Sequence, residues 1–122
     1  MTSKVYSNQE LKLEVLHQAD AIRIAWTGRS TARDPVAFIG PVLAEGLARG
    51  TEGHKQLVLD FQGLEYMNSS TITPVIRILH EAKKGRARVL VLYQRAAKWQ
   101  ELSFSALMMF ETPDKRIEIR GA

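Results

Sequence analysis

Two segments near the N-terminus alternate apolar and polar side chains, which is typical of β-strands with one face toward solvent. They are Leu11–Val15 and Ile22–Trp26, and Gln18–Asp20 between them has the composition of a turn. The pattern therefore predicts a β-hairpin formed by two adjacent strands.

Two later segments, Leu57–Phe61 and Val89–Tyr93, are apolar runs without alternation, so we expect strands that are covered on both faces. Between them, apolar residues recur at helical spacing until Gly85. These are Ile72, Val75, Ile76, Leu79 and Ala82. A strand, a helix and a second strand in this order predict a right-handed crossover between parallel strands.

One more helix is predicted before this unit, from Asp34-Pro35 to Gly50, because Asp can cap a helix and Pro suits its first position. Gly40-Pro41 predicts either a kink or a later start. The apolar positions at helical spacing are Val36, Ile39, Val42, Leu43 and Leu47.

A third helix is predicted from Ala96 to about Met108, with Trp99, Leu102 and Ala106 on one side. An alternating segment, Lys115–Ile119, predicts a closing strand. Together the elements predict an α/β fold, a mixed β-sheet packed with helices in the order β-β-α-β-α-β-α-β. A length of 122 residues suits a single domain over residues 1–122.

Composition narrows the class of protein. The chain has no cysteine, which excludes a disulfide-stapled module and thiolate zinc sites. No apolar stretch is long enough for a membrane span, and the N-terminus lacks the apolar stretch of a signal peptide. We therefore expect a cytoplasmic protein without membrane insertion.

The positive charge is concentrated in one segment. The net charge is +4, and Lys83 to Lys98 holds six bases and no acid. Clustered bases can bind nucleic acid through phosphates, but a solvated helix end and strand flanks have the same composition. Since no zinc-finger spacing or RNP-like motif accompanies the bases, no nucleic-acid partner is expected.

The most specific signal follows the strand that ends near Asp60. A short loop leads from it to Asn68-Ser69-Ser70-Thr71 at the start of the second predicted helix. This arrangement resembles the STAS family, the domain of bacterial anti-sigma-factor antagonists, in which Asp-Ser-Ser-Gly typically occupies that position. The family's expected element order is also the one predicted above. The resemblance implies a STAS-like fold with Ser69 as the phosphorylated residue.

The sequence departs from the family pattern at two positions of this motif. Asn68 replaces the usual Asp and keeps a hydrogen-bonding side chain without the charge, and Thr71 replaces the usual Gly. Pro74 disfavours a regular helix that already includes Ser70. We therefore expect the regular helix to begin near Thr71, with Ser69 and Ser70 in an exposed, irregular helix start. The final helix common in the family is expected to be truncated or absent.

A phosphate is tolerated at a helix N-terminus because free N–H groups and the positive end of the helix dipole are located there. Phosphorylation would add about −1.5 to −2 charge units at that point. Ser70 and Thr71 are alternative positions for the modification. Capping alone would also explain these residue types. Asn68, Ser69, Ser70 and Thr71 are predicted to bind a partner, together with Arg29 and Arg33 in the loop after the second strand.

Other candidate chemistry is sparse. Asp60 has no second acid or base paired with it in the sequence, so it is expected to cap a helix or brace a loop. The three histidines have no metal-ligand spacing. Leu107–Phe110 is either part of the core or an exposed Met-rich contact surface. We expect no enzymatic activity, no cofactor and no metal.

The resemblance implies a partner-switching mechanism. An ATP-dependent serine kinase of the anti-sigma type would bind the unmodified domain, phosphorylation of Ser69 would release it, and a phosphatase would reset it. The nucleotide would belong to the kinase. The alternative is a non-phosphorylated STAS adaptor subunit of a transport or stress-signalling complex, which Asn68 and Thr71 favour. A nucleic-acid-binding domain is the third hypothesis, and a homodimer is left open.

Overall fold

The computed structural model describes residues 2–122, which form a six-stranded β-sheet and three α-helices. The strands are β1 (Thr2–Asn8), β2 (Leu11–His17), β3 (Ala21–Ser30), β4 (Gln56–Met67), β5 (Val89–Tyr93) and β6 (Ile117–Gly121). The α-helices are α1 (Pro35–Glu52), α2 (Ile72–Lys84) and α3 (Lys98–Ser105), and 3-10 helices cover Ser69–Thr71 and Ala106–Phe110. The predicted α/β fold class is confirmed.

The strands lie across the sheet in the order in which they occur along the chain. β1, β2 and β3 pair antiparallel, whereas β3, β4, β5 and β6 pair parallel. The sheet is therefore mixed, and it contains both the predicted hairpin and the predicted crossover. No helix within residues 2–122 is long and apolar enough to cross a membrane.

The predicted element order was wrong at the N-terminus, where β1 adds a strand and gives the order β-β-β-α-β-α-β-α-β. Pairing with β2 places Tyr6 opposite Leu13, so β1 forms an edge of the sheet. Most of β1 is exposed, so its sequence has no apolar alternation to reveal it. The turn to β2 contains Gln9 at φ 56°, without the Asn-Gly or Asp-Gly pair that indicates a hairpin.

Two strands are longer than predicted. β4 continues beyond Phe61 to Met67, and β3 continues to Ser30, with irregular pairing near Gly28. A side chain at Gly63 would place its Cβ 2.9 Å from Thr27 Cγ2, so glycine permits this close approach of β4 to β3. The sequence predicted loops after Trp26 and after Phe61. Both predictions were wrong, because these segments continue as paired strands.

One face of the sheet carries all three helices. Every second residue of the central strands points into a single core with the buried faces of α1, α2 and the α3 region. The opposite face has a small separate cluster of Ala21, Val58 and Leu90, with Leu92 beside it. Val58 and Leu90 on this outer face are nevertheless buried, at 6% and 8% exposure, so β4 and β5 are covered on both faces at these positions, as predicted. Helices cover only one of the two faces. The outer residues of β4 and β5 are instead shielded by neighbouring side chains of the sheet itself.

Helix α1 begins at Pro35 as predicted and continues through Pro41 to Glu52, so the later start is not observed. The side chain of Asp34 makes no capping hydrogen bond to any described residue, which corrects its predicted role. Proline at the first position still suits a helix start, because it has no N–H that would be left unpaired there.

The third helix is rotated relative to the prediction. Its buried side chains are Gln100 and Phe104, followed by Leu107 and Phe110 in the adjacent 3-10 helix. Leu102 is 75% exposed and Ala106 is also exposed, whereas Trp99 packs partly buried against the core. The three residues predicted to share one side therefore do not share one environment. A buried Gln in place of an apolar residue hid the true periodicity, since pattern rules treat Gln as a surface residue.

Candidate functional site

The segment Asn68–Thr71 lies at the edge of the sheet where the parallel strands end, between β4 and α2. Ser69–Thr71 forms a 3-10 helix and the regular helix begins at Ile72. Ser69 and Ser70 are exposed, as the sequence predicted from the steric effect of Pro74. Two hydroxyl groups are therefore presented to solvent at the start of α2.

Asn68 fixes the conformation of this helix start through both ends of its amide. Its Oδ1 accepts hydrogen bonds from the backbone N–H of Thr71 at 3.1 Å and from the Thr71 hydroxyl at 2.7 Å. Its Nδ2 donates to the carbonyl oxygen of Ala32 at 2.8 Å, in the loop between β3 and α1. A carboxylate could accept the first two hydrogen bonds but could not donate the third. The structure therefore explains why Asn, and not the Asp of the family motif, occupies this position.

Thr71 is fully buried, at 0% exposure. Its hydroxyl lies 2.6 Å from the hydroxyl of Ser30, which is also buried. This hydroxyl pair links the end of β3 to the residue before α2. A hydrogen bond between buried groups is stronger than one exposed to water. Burial counts against Thr71 as the alternative modified residue, because a kinase needs an accessible hydroxyl group. Ser70 is exposed and remains an alternative.

The two predicted arginines lie at the same end of the sheet but not in one loop. Arg29 belongs to β3, contrary to the prediction, and its guanidinium carbon lies 4.8 Å from the centre of the Tyr66 ring. Arg33 is exposed in the loop that Asn68 contacts through Ala32. Neither arginine is brought into a described hydrogen bond with Ser69, so a role in partner binding stays a prediction.

The basic segment is divided by strand β5. Arg86 and Arg88 precede β5, whereas Arg95 and Lys98 follow it. A strand of five residues advances by about 16 Å, so the two groups of bases lie at opposite ends of the sheet. The six bases therefore do not form one continuous patch for a nucleic-acid backbone.

Asp60 lies on the outer face of the sheet and is ion-paired with Arg23 of the neighbouring strand. Its Oδ1 also accepts a hydrogen bond from the backbone N–H of Gln62 at 3.0 Å. Both predicted roles of Asp60, capping a helix and bracing a loop, are wrong, because Gln62 belongs to β4 and Arg23 belongs to β3. Asp60 instead links the two neighbouring strands.

Gln100 is a structural residue that sequence reasoning missed. It is fully buried in α3, and its Nε2 donates to the carbonyl oxygens of Phe61 at 2.7 Å and Leu64 at 2.9 Å. Its Oε1 accepts from the backbone N–H of Gln94 at 2.7 Å. One amide thus joins β4, the end of β5 and α3. No local pattern signals this residue, since its two carbonyl partners, Phe61 and Leu64, are 39 and 36 residues away.

Among residues 2–122, the surroundings shift the pKa of two side chains, Tyr93 and Asp114. Burial raises the pKa of Tyr93, and the nearby Glu101 carboxylate raises it further. A hydrogen bond from the Thr112 hydroxyl and another from the Arg116 backbone lower the pKa of Asp114. Tyr93 lies near the start of α3, whereas Asp114 lies in the loop before β6.

A groove of about 440 Å³ lies between α2 and α3, beside Ser69. We call it the α2–α3 groove and define it by Ile72 and Ile76 on α2 and by Leu102, Ala106 and Met109 on the α3 side. Asn68 and Ser69 form one part of its wall. The groove therefore joins the candidate phosphorylation site to an apolar surface.

The Leu107–Phe110 segment satisfies both of its predicted interpretations. Leu107 and Phe110 are buried in the core, whereas Met108 is 42% exposed and Met109 is 77% exposed. His80 packs edge-on against Phe110, with ring centres 5.0 Å apart. Within residues 2–122, no group of three or more His, Cys, Asp and Glu could hold a metal ion.

No protein-family model and no curated protein matches this sequence. The resemblance to the STAS family consequently stays a hypothesis based on the motif around Ser69.

Proposed function

We propose that this chain is a STAS-like regulatory domain of the anti-sigma-factor-antagonist type, switched by phosphorylation of Ser69. The observation that carries the proposal is the exposed serine pair at the start of α2, held in a fixed, irregular conformation by Asn68. The unmodified domain binds an ATP-dependent serine kinase, and the kinase releases it by transferring a phosphate. A phosphatase then restores the unmodified form.

The geometry suits such a switch for electrostatic reasons. Ser69 begins the 3-10 helix that leads into α2, where the positive end of the helix dipole favours an anion. A phosphate there adds about −1.5 to −2 charge units and a bulky group to a surface that a partner would cover closely. The domain itself needs no nucleotide, since the kinase supplies ATP, and we propose that both proteins act in the cytoplasm.

The direct test is incubation with ATP and a purified serine kinase of the anti-sigma class, followed by mass spectrometry. We expect one phosphate on the peptide that contains Ser69, absent from the Ser69→Ala variant. Ser70→Ala is the matched control, because it removes a neighbouring hydroxyl that is also exposed and should leave the phosphate in place. A phosphate retained by Ser69→Ala would contradict the assignment.

A second candidate function is a STAS adaptor subunit that docks without phosphorylation in a transport or stress-signalling complex. The network of Asn68, Thr71 and Ser30 favours it, because both departures from the family motif have structural roles here. Co-purification separates the two functions. A stable multi-subunit complex that is unaffected by Ser69→Glu supports the adaptor, whereas a kinase complex lost in Ser69→Glu supports the switch.

A further inference from the structure

A second cavity lies at the opposite end of the sheet from Ser69, where the parallel strands begin. It has a volume of about 310 Å³, and two segments of the chain line it. The segment between α1 and β4 contributes His54 and Lys55, and the segment between α2 and β5 contributes Arg86 and Arg88. The other lining residues are Gly50, Thr51 and Ala87. We call it the basic cavity, and its size is at the lower end of ligand sites, which span about 300–1,000 Å³.

Every ionisable side chain that lines the basic cavity is basic. Three of them carry a positive charge, and the imidazole of His54 can donate a hydrogen bond. The acidic residues of the segments that meet at this end do not line it, and they are Asp20, Glu52, Glu81 and Asp114. Glu52 lines a neighbouring cavity instead, and Glu81 lies 3.7 Å from the ammonium of Lys84. The basic cavity therefore presents positive charge without a carboxylate in its wall.

The two arginines keep hydrogen-bond donors available for a ligand. Within residues 2–122, neither of them has an ion-pair partner. Both are exposed, and Arg88 donates one long hydrogen bond of 3.5 Å to the carbonyl oxygen of His54. The ammonium of Lys55 differs, because it donates to the carbonyl oxygen of Gln18 at 2.8 Å. We therefore assign the direct contacts to Arg86 and Arg88, whereas Lys55 adds charge.

Hydrogen bonds hold the two segments of the basic cavity in place. The backbone N–H of Leu57 donates to the carbonyl oxygen of Arg88 at 2.8 Å and joins one segment to the other. Behind them, the guanidinium of Arg116 donates to the carbonyl oxygen of Ala87 at 2.8 Å. A backbone that is fixed before a ligand arrives lowers the entropy cost of binding.

His54 has a backbone conformation that glycine adopts most easily. Its φ is 55°, in the left-handed region, where the chain turns after α1. The neighbouring Gly53 has an ordinary negative φ. A non-glycine residue in this region lowers stability, and such residues concentrate at functional sites. The position of the His54 imidazole in the cavity wall gives this residue a role that glycine could not fill.

We infer that the basic cavity binds a diphosphate group, as the free ion or as the end group of a small molecule, with Arg86 and Arg88 as its main contacts. A guanidinium matches phosphate oxygens because it can donate two parallel hydrogen bonds. Two guanidinium groups at one cavity are complementary to two linked phosphates. A nucleic acid matches less well, because Arg95 and Lys98 lie at the other end of the sheet and leave no continuous basic track.

This inference goes beyond the proposed function and does not depend on it, since Ser69 lies at the other end of the sheet. A chain that binds diphosphate but is never phosphorylated would lose only the proposed switch. A chain that is phosphorylated on Ser69 but binds no diphosphate would lose only the basic cavity as a ligand site.

The test is isothermal titration calorimetry of the full chain with inorganic diphosphate. We expect saturable binding that is about tenfold weaker in Arg86→Ala and in Arg88→Ala. Arg86→Lys keeps the charge but loses the planar fork, so its binding should be about threefold weaker. Lys98→Ala is the matched control, because it removes one positive charge at the other end of the sheet and should leave binding unchanged. Equal losses in Lys98→Ala and Arg86→Ala would overturn the inference, as would no binding by the natural chain.

Other anions test the chemistry of the ligand. Inorganic phosphate and sulfate should bind about tenfold more weakly than diphosphate, because each offers a single tetrahedral group. Tighter binding of methyl diphosphate than of inorganic diphosphate would identify the end group of a larger molecule, and weaker binding would identify the free ion. Equal binding of sulfate and diphosphate would contradict the inference. A single-stranded oligonucleotide whose affinity rises with its length would also contradict it and would favour a nucleic acid.

His54→Gly separates ligand binding from folding. Glycine adopts a positive φ without strain, so we expect a higher midpoint of urea unfolding. Diphosphate binding should nevertheless become about threefold weaker, because a donor in the cavity wall is lost. A variant that is more stable and binds diphosphate as tightly as the natural chain would overturn the assignment of His54 to the site.

Discussion

The starts of α2 and α3 use the same chemical device with opposite accessibility. Each helix follows a parallel strand, and each is anchored by a side-chain amide that reaches backbone groups of other segments. Asn68 bonds to Ala32 and Thr71 while the adjacent serines stay exposed. Gln100 is fully buried, and its three hydrogen bonds join β4, the end of β5 and α3.

The two helix starts therefore differ in what they can do. The start of α3 is a structural anchor, whereas the start of α2 is a site that can be modified. At α3, the amide lies inside the core and stabilises the fold. At α2, the amide of Asn68 is only partly buried and holds the backbone next to the exposed serines through Thr71 and Ala32. A rigid but accessible helix start suits recognition, because its conformation is fixed before a partner binds.

The largest effect is expected from Gln100→Leu. This change leaves the N–H of Gln94 and the carbonyl groups of Phe61 and Leu64 without their partner, and it should lower the free energy of unfolding by about 3 kcal/mol. Urea unfolding followed by circular dichroism measures it. Leu102→Gln on the exposed face of the same helix should change stability by less than about 0.5 kcal/mol. Similar losses in both variants would remove the distinction between the buried and exposed faces of α3.

Asn68→Asp should have a smaller effect. The carboxylate loses the hydrogen bond to the Ala32 carbonyl but gains from the positive end of the α2 dipole, for a net loss of about 1 kcal/mol at neutral pH. Because a protonated carboxyl group can donate a hydrogen bond again, the loss should shrink in acid. Unfolding of the variant and the natural chain at pH 7 and in mild acid checks this. A more stable variant at neutral pH would show that the amide is not required.

The ionisation of Tyr93 should affect the free energy of unfolding only at high pH. Its pKa is raised by burial, so the native protein keeps this phenol neutral while the unfolded chain ionises near its ordinary pKa of 10.0. The stability that depends on a neutral Tyr93 is fully present below about pH 10 and is lost as the pH rises through the higher pKa of Tyr93 in the folded protein. Above about pH 10, the free energy of unfolding should therefore fall more steeply for the natural chain than for Tyr93→Phe. Urea unfolding at several pH values measures both. Parallel pH curves for both proteins would contradict the assignment.

The smallest effect on stability is expected from Ser69→Ala and Ser70→Ala. Both side chains are exposed, so each change should alter the free energy of unfolding by less than about 0.5 kcal/mol. A much larger loss in Ser69→Ala than in Ser70→Ala would mean that Ser69 mainly stabilises the helix start. Small and equal effects would show that neither serine is needed to stabilise the helix start, as expected for residues that are modified.

Local sequence patterns predicted the helices and strands whose buried residues form a visible apolar pattern in the sequence. Leu57–Phe61 and Val89–Tyr93 were found because they are continuous apolar runs. Helix α2 was found because its apolar positions recur at helical spacing. β1 was missed because it is held by backbone pairing to β2 rather than by buried side chains. The outer extension of β4 was missed for a similar reason, since β3 supplies its pairing partners.

The candidate site was predicted only in part. The exposure of Ser69 and Ser70 followed from Pro74, because a steric clash within one turn of helix is a local effect. The capping hydrogen bond from the Thr71 N–H to Asn68 agrees with the capping role that the residue types indicated. The hydrogen bond from Asn68 to Ala32 could not be predicted, since Ala32 is 36 residues away. Thr71 was offered as an alternative site, but its contact with Ser30 depends on bringing β3 and β4 side by side.

The sequence by itself determined the α/β class, the central crossover and the irregular start of α2, because these depend on periodicity and on steric effects between near neighbours. Only the tertiary structure decided which polar residues are buried, which bases share a surface, and where apolar side chains stay exposed. These properties depend on contacts between segments that are distant in the chain. Packing buried Gln100 and Thr71, divided the basic run at β5, and left an uncharged groove open beside Ser69.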